Sequence, residues 1–154
     1  MNTPSEILEA LNESVSETFE GMTFSQVFDS VVQVKPPAVK ADVISASISL
    51  PDPVGLRLSL VMTHFHVAEV FEELTGKGLE DVRPAVLNDF VNELTNTIAG
   101  HLNTRLAPEK DDLEIGLPVT PDNLTELLSP TREKIVICYT IELHEAICVL
   151  EPVS

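Results

Sequence analysis

Apolar and polar positions change their period along this chain, and each change marks an element. Thr3-Pro4-Ser5-Glu6 supplies a capping threonine, a proline at the first helical position and a glutamate at the third, which predicts a helix start. Ile7, Leu8, Leu11, Val15 and Phe19 continue at helical spacing, and Gly21 is the expected stop. A strand is then predicted at Val31-Val32-Gln33-Val34, broken by Pro36-Pro37. Residues 43–50 alternate in part, and Pro51-Asp52-Pro53-Val54-Gly55 reads as a turn. Leu56, Leu58, Leu60 and Met62 then alternate as in a half-buried strand.

Thr63 can cap a second helix with Val67, Val70, Phe71 and Leu74 inside, ended by Gly76 and Gly78. A third helix is predicted over about 82–106, with Pro84 in its first turn and Leu87, Phe90, Val91, Leu94, Ile98 and Leu102 as its apolar stripe. Strands follow at 113–119, 134–142 and 146–150, with Glu142-Leu143-His144-Glu145 connecting the last two. Residues 117–131 are Pro-rich and read as a long loop. The order is α-β-β-β-α-α-β-β-β, an α+β domain with helices packed on a mostly antiparallel sheet. No linker or low-complexity stretch divides residues 1–154, so a single domain is expected.

The third helix carries a feature its core does not require. Glu93, Asn96 and Gly100 stand at i, i+3 and i+7. At about 100° per residue, with Leu94 at 0°, the apolar stripe centres near ~40°. Glu93 falls at ~260°, Asn96 at ~200°, Gly100 at ~240° and Asp89 at ~220°, away from the packed side. Glycine costs about 1 kcal/mol relative to alanine inside a helix. A glycine facing outward does not serve tight helix packing; it leaves backbone bare for another molecule. Against this stands the ordinary fact that exposed helix faces carry acids and amides.

Composition narrows the choice of partner. Of the 154 residues 44% are hydrophobic, enough for one core, and the formal charge of −16 argues against nucleic acid or an anionic membrane surface. No segment approaches the ~20 apolar residues of a membrane span, and the N-terminus lacks the basic start and apolar run of a signal peptide. Cytoplasm is the expected location. Cys138 and Cys148 fall in expected strands and read as core thiols. A hairpin turning at 142–145 would set Tyr139 opposite Cys148, with Cys138 on the other face. His64, His66, His101 and His144 have no Cys or acid at a spacing that completes a zinc site, and polar residues are ordinary where His64 and His66 open a helix. The run Glu109-Lys110-Asp111-Asp112 reads as solvated surface.

The segment from Val91 to Leu102, with Glu93, Asn96 and Gly100 in register, resembles the signature helix of the CheC/CheX/FliY family of chemotaxis phosphatases. Ser14-Val15-Ser16-Glu17-Thr18-Phe19 is similar to the first helix of CheX-like members. Gly55-Leu56-Arg57-Leu58-Ser59-Leu60 resembles their strand before the second helix, and the element order agrees. The resemblance implies dephosphorylation of a phospho-aspartyl, CheY-like receiver domain. Asn96 would orient the attacking water, Glu93 would contact a receiver lysine, and Asp89 and Gly100 would belong to the docking face. It also implies no cofactor of the chain's own, Mg²⁺ carried by the receiver, and a homodimer formed through the sheets. A non-catalytic receiver-binding or flagellar-switch-like module of the same fold is the alternative. The first helix repeats part of the pattern at Glu9 and Asn12, but Ser16 stands where glycine would, and Asn12 lies near the apolar stripe. One site per chain is therefore expected. Thr95 and Thr97 flank Asn96 where family members often have smaller or more apolar neighbours.

Overall fold

The computed structural model describes residues 2–39, 41–109 and 116–153. Helix α1 (Pro4–Thr23) opens with the expected reciprocal cap: Glu6 N donates to Thr3 Oγ1 and Thr3 N donates to Glu6 Oε1, both at 3.1 Å. It runs through Gly21 rather than stopping there, and ends where Phe24 adopts φ 55°. Gly21 has open space around it and a helical neighbour on each side, so nothing forces the chain out of the helix before Phe24. Leu11, Val15 and Phe19 are fully buried. Ser14, Thr18 and Thr23 share that face, and their hydroxyls donate to the carbonyls four residues back, at 2.7–2.8 Å.

Five antiparallel strands form one open sheet in the order β1-β4-β5-β3-β2: β1 (Val27–Val32), β2 (Val43–Ser49), β3 (Leu56–Thr63), β4 (Ile135–Ile141) and β5 (His144–Pro152). The expected α+β architecture holds, with all pairings antiparallel. Strand β1 begins four residues before its expected position, because Val27, Asp29 and Ser30 pair with Ile141, Thr140 and Tyr139 of a strand more than a hundred residues away. The expected strand at 113–119 has its first half outside the described residues. Its described end runs along β2, where Val119 exchanges hydrogen bonds of 2.7 and 2.8 Å with Ser47. Part of the acidic run at 109–112 likewise lies outside the described residues. The β4–β5 hairpin turns on Glu142 and Leu143 alone, so Ile141 pairs with His144 and Cys148 lies opposite Ile137, not Tyr139. Cys138 does face the other way, among Val136, Leu124 and Leu128, and both cysteines are free thiols.

Helix α2 (His64–Thr75) is capped by Thr63 Oγ1 and ends at Gly76, whose φ of 76° suits only glycine without strain. Helix α3 (Pro84–Leu106) packs on β2 and β3 and beside α1. Arg105 near its C-terminus bonds Glu13 (3.0 Å) and Glu17 of α1, and His101 reaches Glu17 at 3.2 Å, so the two helices run antiparallel. Arg105 holds the Glu17 carboxyl below its ordinary range. These helices and one sheet face bury Leu58, Leu60, Leu94, Ile98, Leu102 and Tyr139 in the main core. A second, smaller cluster on the opposite face is covered by the one-turn helix α4 (Leu124–Leu127) within the expected long loop. No helix among the described residues is long and apolar enough to cross a membrane.

Candidate functional site

Helix α3 has a buried side and an exposed side, and the sequence motif lies on the exposed one. Leu87, Val91, Leu94, Ile98 and Leu102 are buried as the stripe predicts, each contributing roughly 1.5–3 kcal/mol by burial. Thr95, Ala99 and Asn103 are buried too, so the covered arc is wider on the Asn96 side than apolarity alone indicated. A small or back-bonded side chain can line a core without being apolar: Thr95 Oγ1 donates to the Val91 carbonyl at 2.7 Å. Thr95 therefore belongs to the core, and only Thr97 borders the motif on the surface.

Asp89, Glu93 and Asn96 are exposed and Gly100 is half-exposed. Glu93 and Asn96 stand one turn apart, with Cβ atoms at about 5–6 Å, and Gly100 lies ~10.5 Å beyond Glu93 along the axis. A Cβ placed on Gly100 would meet no atom within 4 Å. Its absence answers no internal crowding. Thr97 Oγ1 donates to the Glu93 carbonyl at 2.9 Å and Thr104 Oγ1 to the Gly100 carbonyl at 3.0 Å. These hydroxyls are spent on their own helix. Among the described residues, the Glu93 carboxylate and the Asn96 amide make no side-chain hydrogen bond within the chain, so both are free to engage another molecule.

The first helix is different at the corresponding positions. Asn12 is half-buried, and its Oδ1 accepts a 2.7 Å hydrogen bond from the buried Tyr139 hydroxyl. Burial pushes the Tyr139 hydroxyl far up, so it stays a donor at any ordinary pH. Asn12 is thus a core anchor, while Glu9 is exposed alone. No group of three or more His, Cys, Asp or Glu among the described residues converges to hold a metal ion.

One cluster escaped the sequence reading. His66, expected as an ordinary polar residue at a helix start, is buried and stacks on His144 at 4.3 Å. His66 and His144 are 78 residues apart, and only the pairing of β5 beside β3 brings the hairpin tip to the start of α2.

No family model matches the chain, and no curated protein matches it in sequence. The fold does match solved structures. A CheC-like superfamily protein from Shewanella sp. PV-4 shares 20% identity at a TM-score of 0.69, with 98% of each chain covered. The chemotaxis protein CheX from Vibrio vulnificus shares 19% at 0.69, covering 98% of this chain and 99% of that one. A chain of the CheX–CheY–BeF3–Mg²⁺ complex from Borrelia burgdorferi shares 15% at 0.64, covering 95% and 96%. The chain therefore has the CheC/CheX fold over nearly its whole length.

Proposed function

We propose that the chain is a CheX-like phosphatase that hydrolyses the aspartyl phosphate of a CheY-like receiver, docking through the exposed face of α3. The observation that carries this reading is the unengaged Glu93 carboxylate and Asn96 amide beside open backbone at Gly100. An acyl phosphate is already activated, and its transfer to water needs placement and charge stabilisation more than covalent help. The Asn96 amide can accept from a water and donate to an oxygen at once, without pKa tuning. Glu93, one turn away, is positioned to take a receiver lysine. Asp89, one turn further toward the N-terminus, extends the acidic rim, and Gly100 gives the clearance. In this scheme the receiver carries the Mg²⁺, and no acidic cluster among the described residues offers a cage for one. Cytoplasmic residence follows from that choice of partner.

The resemblance to CheX-like proteins also supports a homodimer. Of the two terminal strands, β2 is met by residues 116–119 at Ser47 and Ser49, whereas β1 exposes Phe28, Val31 and Val32 and carries one charge, Asp29. A single charge along β1 leaves little repulsion there between two chains of charge −16.

The deciding assay measures phosphate release from a phosphorylated receiver with wild type, Asn96→Ala and Asn12→Ala. Loss of water placement in Asn96→Ala is expected to remove on the order of 10²-fold of the acceleration, while Asn12→Ala retains it. Equal rates for wild type and Asn96→Ala would remove the catalytic role of Asn96. A wild type that binds the phosphorylated receiver without accelerating release would instead make this a binding module.

A further inference from the structure

Two hollows with several charged side chains lie away from α3, as does a third of about 150 Å³ lined chiefly by apolar residues such as Val39, Val43, Val61 and Ile147. The larger, about 460 Å³, sits on the opposite sheet face beneath residues 116–127. Arg57 stands across the β3–β5 pairing from Glu151, Lys134 Nζ donates to the Glu126 carbonyl at 2.7 Å, and no buried polar side-chain atom there lacks a partner among the described residues. The smaller, about 120 Å³, is lined by Ser25, His66, Glu69, Glu73, Glu142 and His144, and it contains an unmatched group. His66 Nδ1 is buried with no hydrogen-bond partner among the described residues.

Three segments meet there. Helix α2 supplies His66, Glu69 and Glu73; the β4–β5 hairpin supplies Glu142 and His144; the α1–β1 link supplies Phe24 and Ser25. The His66 ring lies nearly parallel to Phe19 of α1 at 6.4 Å and to His144 at 4.3 Å. His144 Nε2 lies 3.2 Å from Glu69 Oε2, and Phe65 covers its ring at 5.7 Å. The hairpin tip has few other ties. Glu142 N donates to the Gln26 carbonyl (3.1 Å), Gln26 N donates to Glu142 Oε2 (2.7 Å), and Leu143 is almost fully exposed.

We propose that the stacked His66–His144 pair is a proton-triggered latch, which releases the hairpin tip from α2 and the α1–β1 link when His66 takes up a proton. Two imidazolium rings 4.3 Å apart repel, and the acids around them are unevenly placed. Glu69 compensates a proton on His144, whereas the buried His66 Nδ1 has no acceptor among the described residues to receive its N–H. Swinging the tip outward hydrates His66 and separates the rings, and the sheet pairings beyond Ile141 and His144 can stay intact.

The direction follows from proton binding. Burial first, and the charge of His144 second, lower His66 in the closed form to about 4. A hydrated imidazole titrates near ~6.5. Between those values the open form binds more protons, so falling pH favours opening and neutral pH favours closure. The opening equilibrium is expected to rise on the order of 20-fold from pH 7 to pH 5.

Amide hydrogen exchange tests this, corrected for intrinsic rates between pH 7 and pH 5. Protection at the Gln26 and Glu142 amides is expected to fall on the order of 20-fold, while the amides of central strand β3 hold theirs. His66→Phe keeps an aromatic stack without the titration and should make protection at Gln26 and Glu142 independent of pH. His66→Leu, which fills the same buried site without a titrating ring, should do the same and serves if His66→Phe fails to fold. Constant protection in wild type, loss in step with β3, or an equal fall in the folded variant would each overturn the latch.

Discussion

Single residues divide here into those the fold uses and those it leaves free. Asn12 and Asn96 are the same side chain on two helices, yet one is tied to Tyr139 at 2.7 Å and the other makes no side-chain bond among the described residues. Gly100 gives the sharpest test of that division. A methyl group there meets nothing within 4 Å, and alanine is the better helix former by about 1 kcal/mol. Gly100→Ala is therefore expected to raise Tm by about 2–4 °C in calorimetry, while weakening association with a phosphorylated receiver. A variant that is more stable and binds as well as wild type would mean that Gly100 gives no clearance. At this scale the motif was legible because spacing alone placed it: Glu93, Asn96 and Gly100 all lie on the exposed face that the 3.6-residue period assigns them. The burial of Thr95 and Asn103 was not legible, since a threonine that bonds its own helix looks polar in sequence and behaves as filler in the core.

At the scale of elements, α3 links the core to the candidate site through alternate sides of the same turns. Leu94 is fully buried and its neighbour Glu93 is exposed. Leu94→Ala is expected to cost about 2–5 kcal/mol in urea unfolding, because a cavity opens beneath α3. Glu93→Gln should leave the urea midpoint unchanged and instead weaken receiver binding. Similar stability losses for the two substitutions would contradict the separation of faces. Helix boundaries followed local chemistry where that chemistry was strong, as at the Thr3–Glu6 box and Gly76. Gly21 misled because a glycine permits a helix to end without requiring it; Phe24 in the left-handed region supplies the actual stop. Strand β1 was misplaced for a related reason. As an edge strand with Phe28 and Val31 exposed it lacks clean alternation, and its register comes from β4.

For the whole molecule, charge and edge geometry set the terms of association. Each chain carries −16, so self-association needs a surface where that charge is thin. Strand β1 has one acid, exposed apolar side chains and an unpaired edge. In the proposed homodimer, Val31→Lys would set like charges at the edge, and light scattering should then report a monomer with unchanged secondary structure. A wild type that is monomeric at high concentration, or a Val31→Lys dimer, would remove β1 as the interface.

The amino-acid order by itself determined the α+β class, most element positions and the exposure of Glu93, Asn96 and Gly100, because helical and strand periods are local consequences of backbone geometry. Only the tertiary structure decided the strand order β1-β4-β5-β3-β2, the two-residue hairpin that sets Cys148 opposite Ile137, and the capture of Asn12 by Tyr139. The His66–His144 stack belongs with these. Apart from the hairpin, whose register hangs on the length of its turn, each joins residues from tens to more than a hundred positions apart, and no period along the chain records which distant strand will supply the partner.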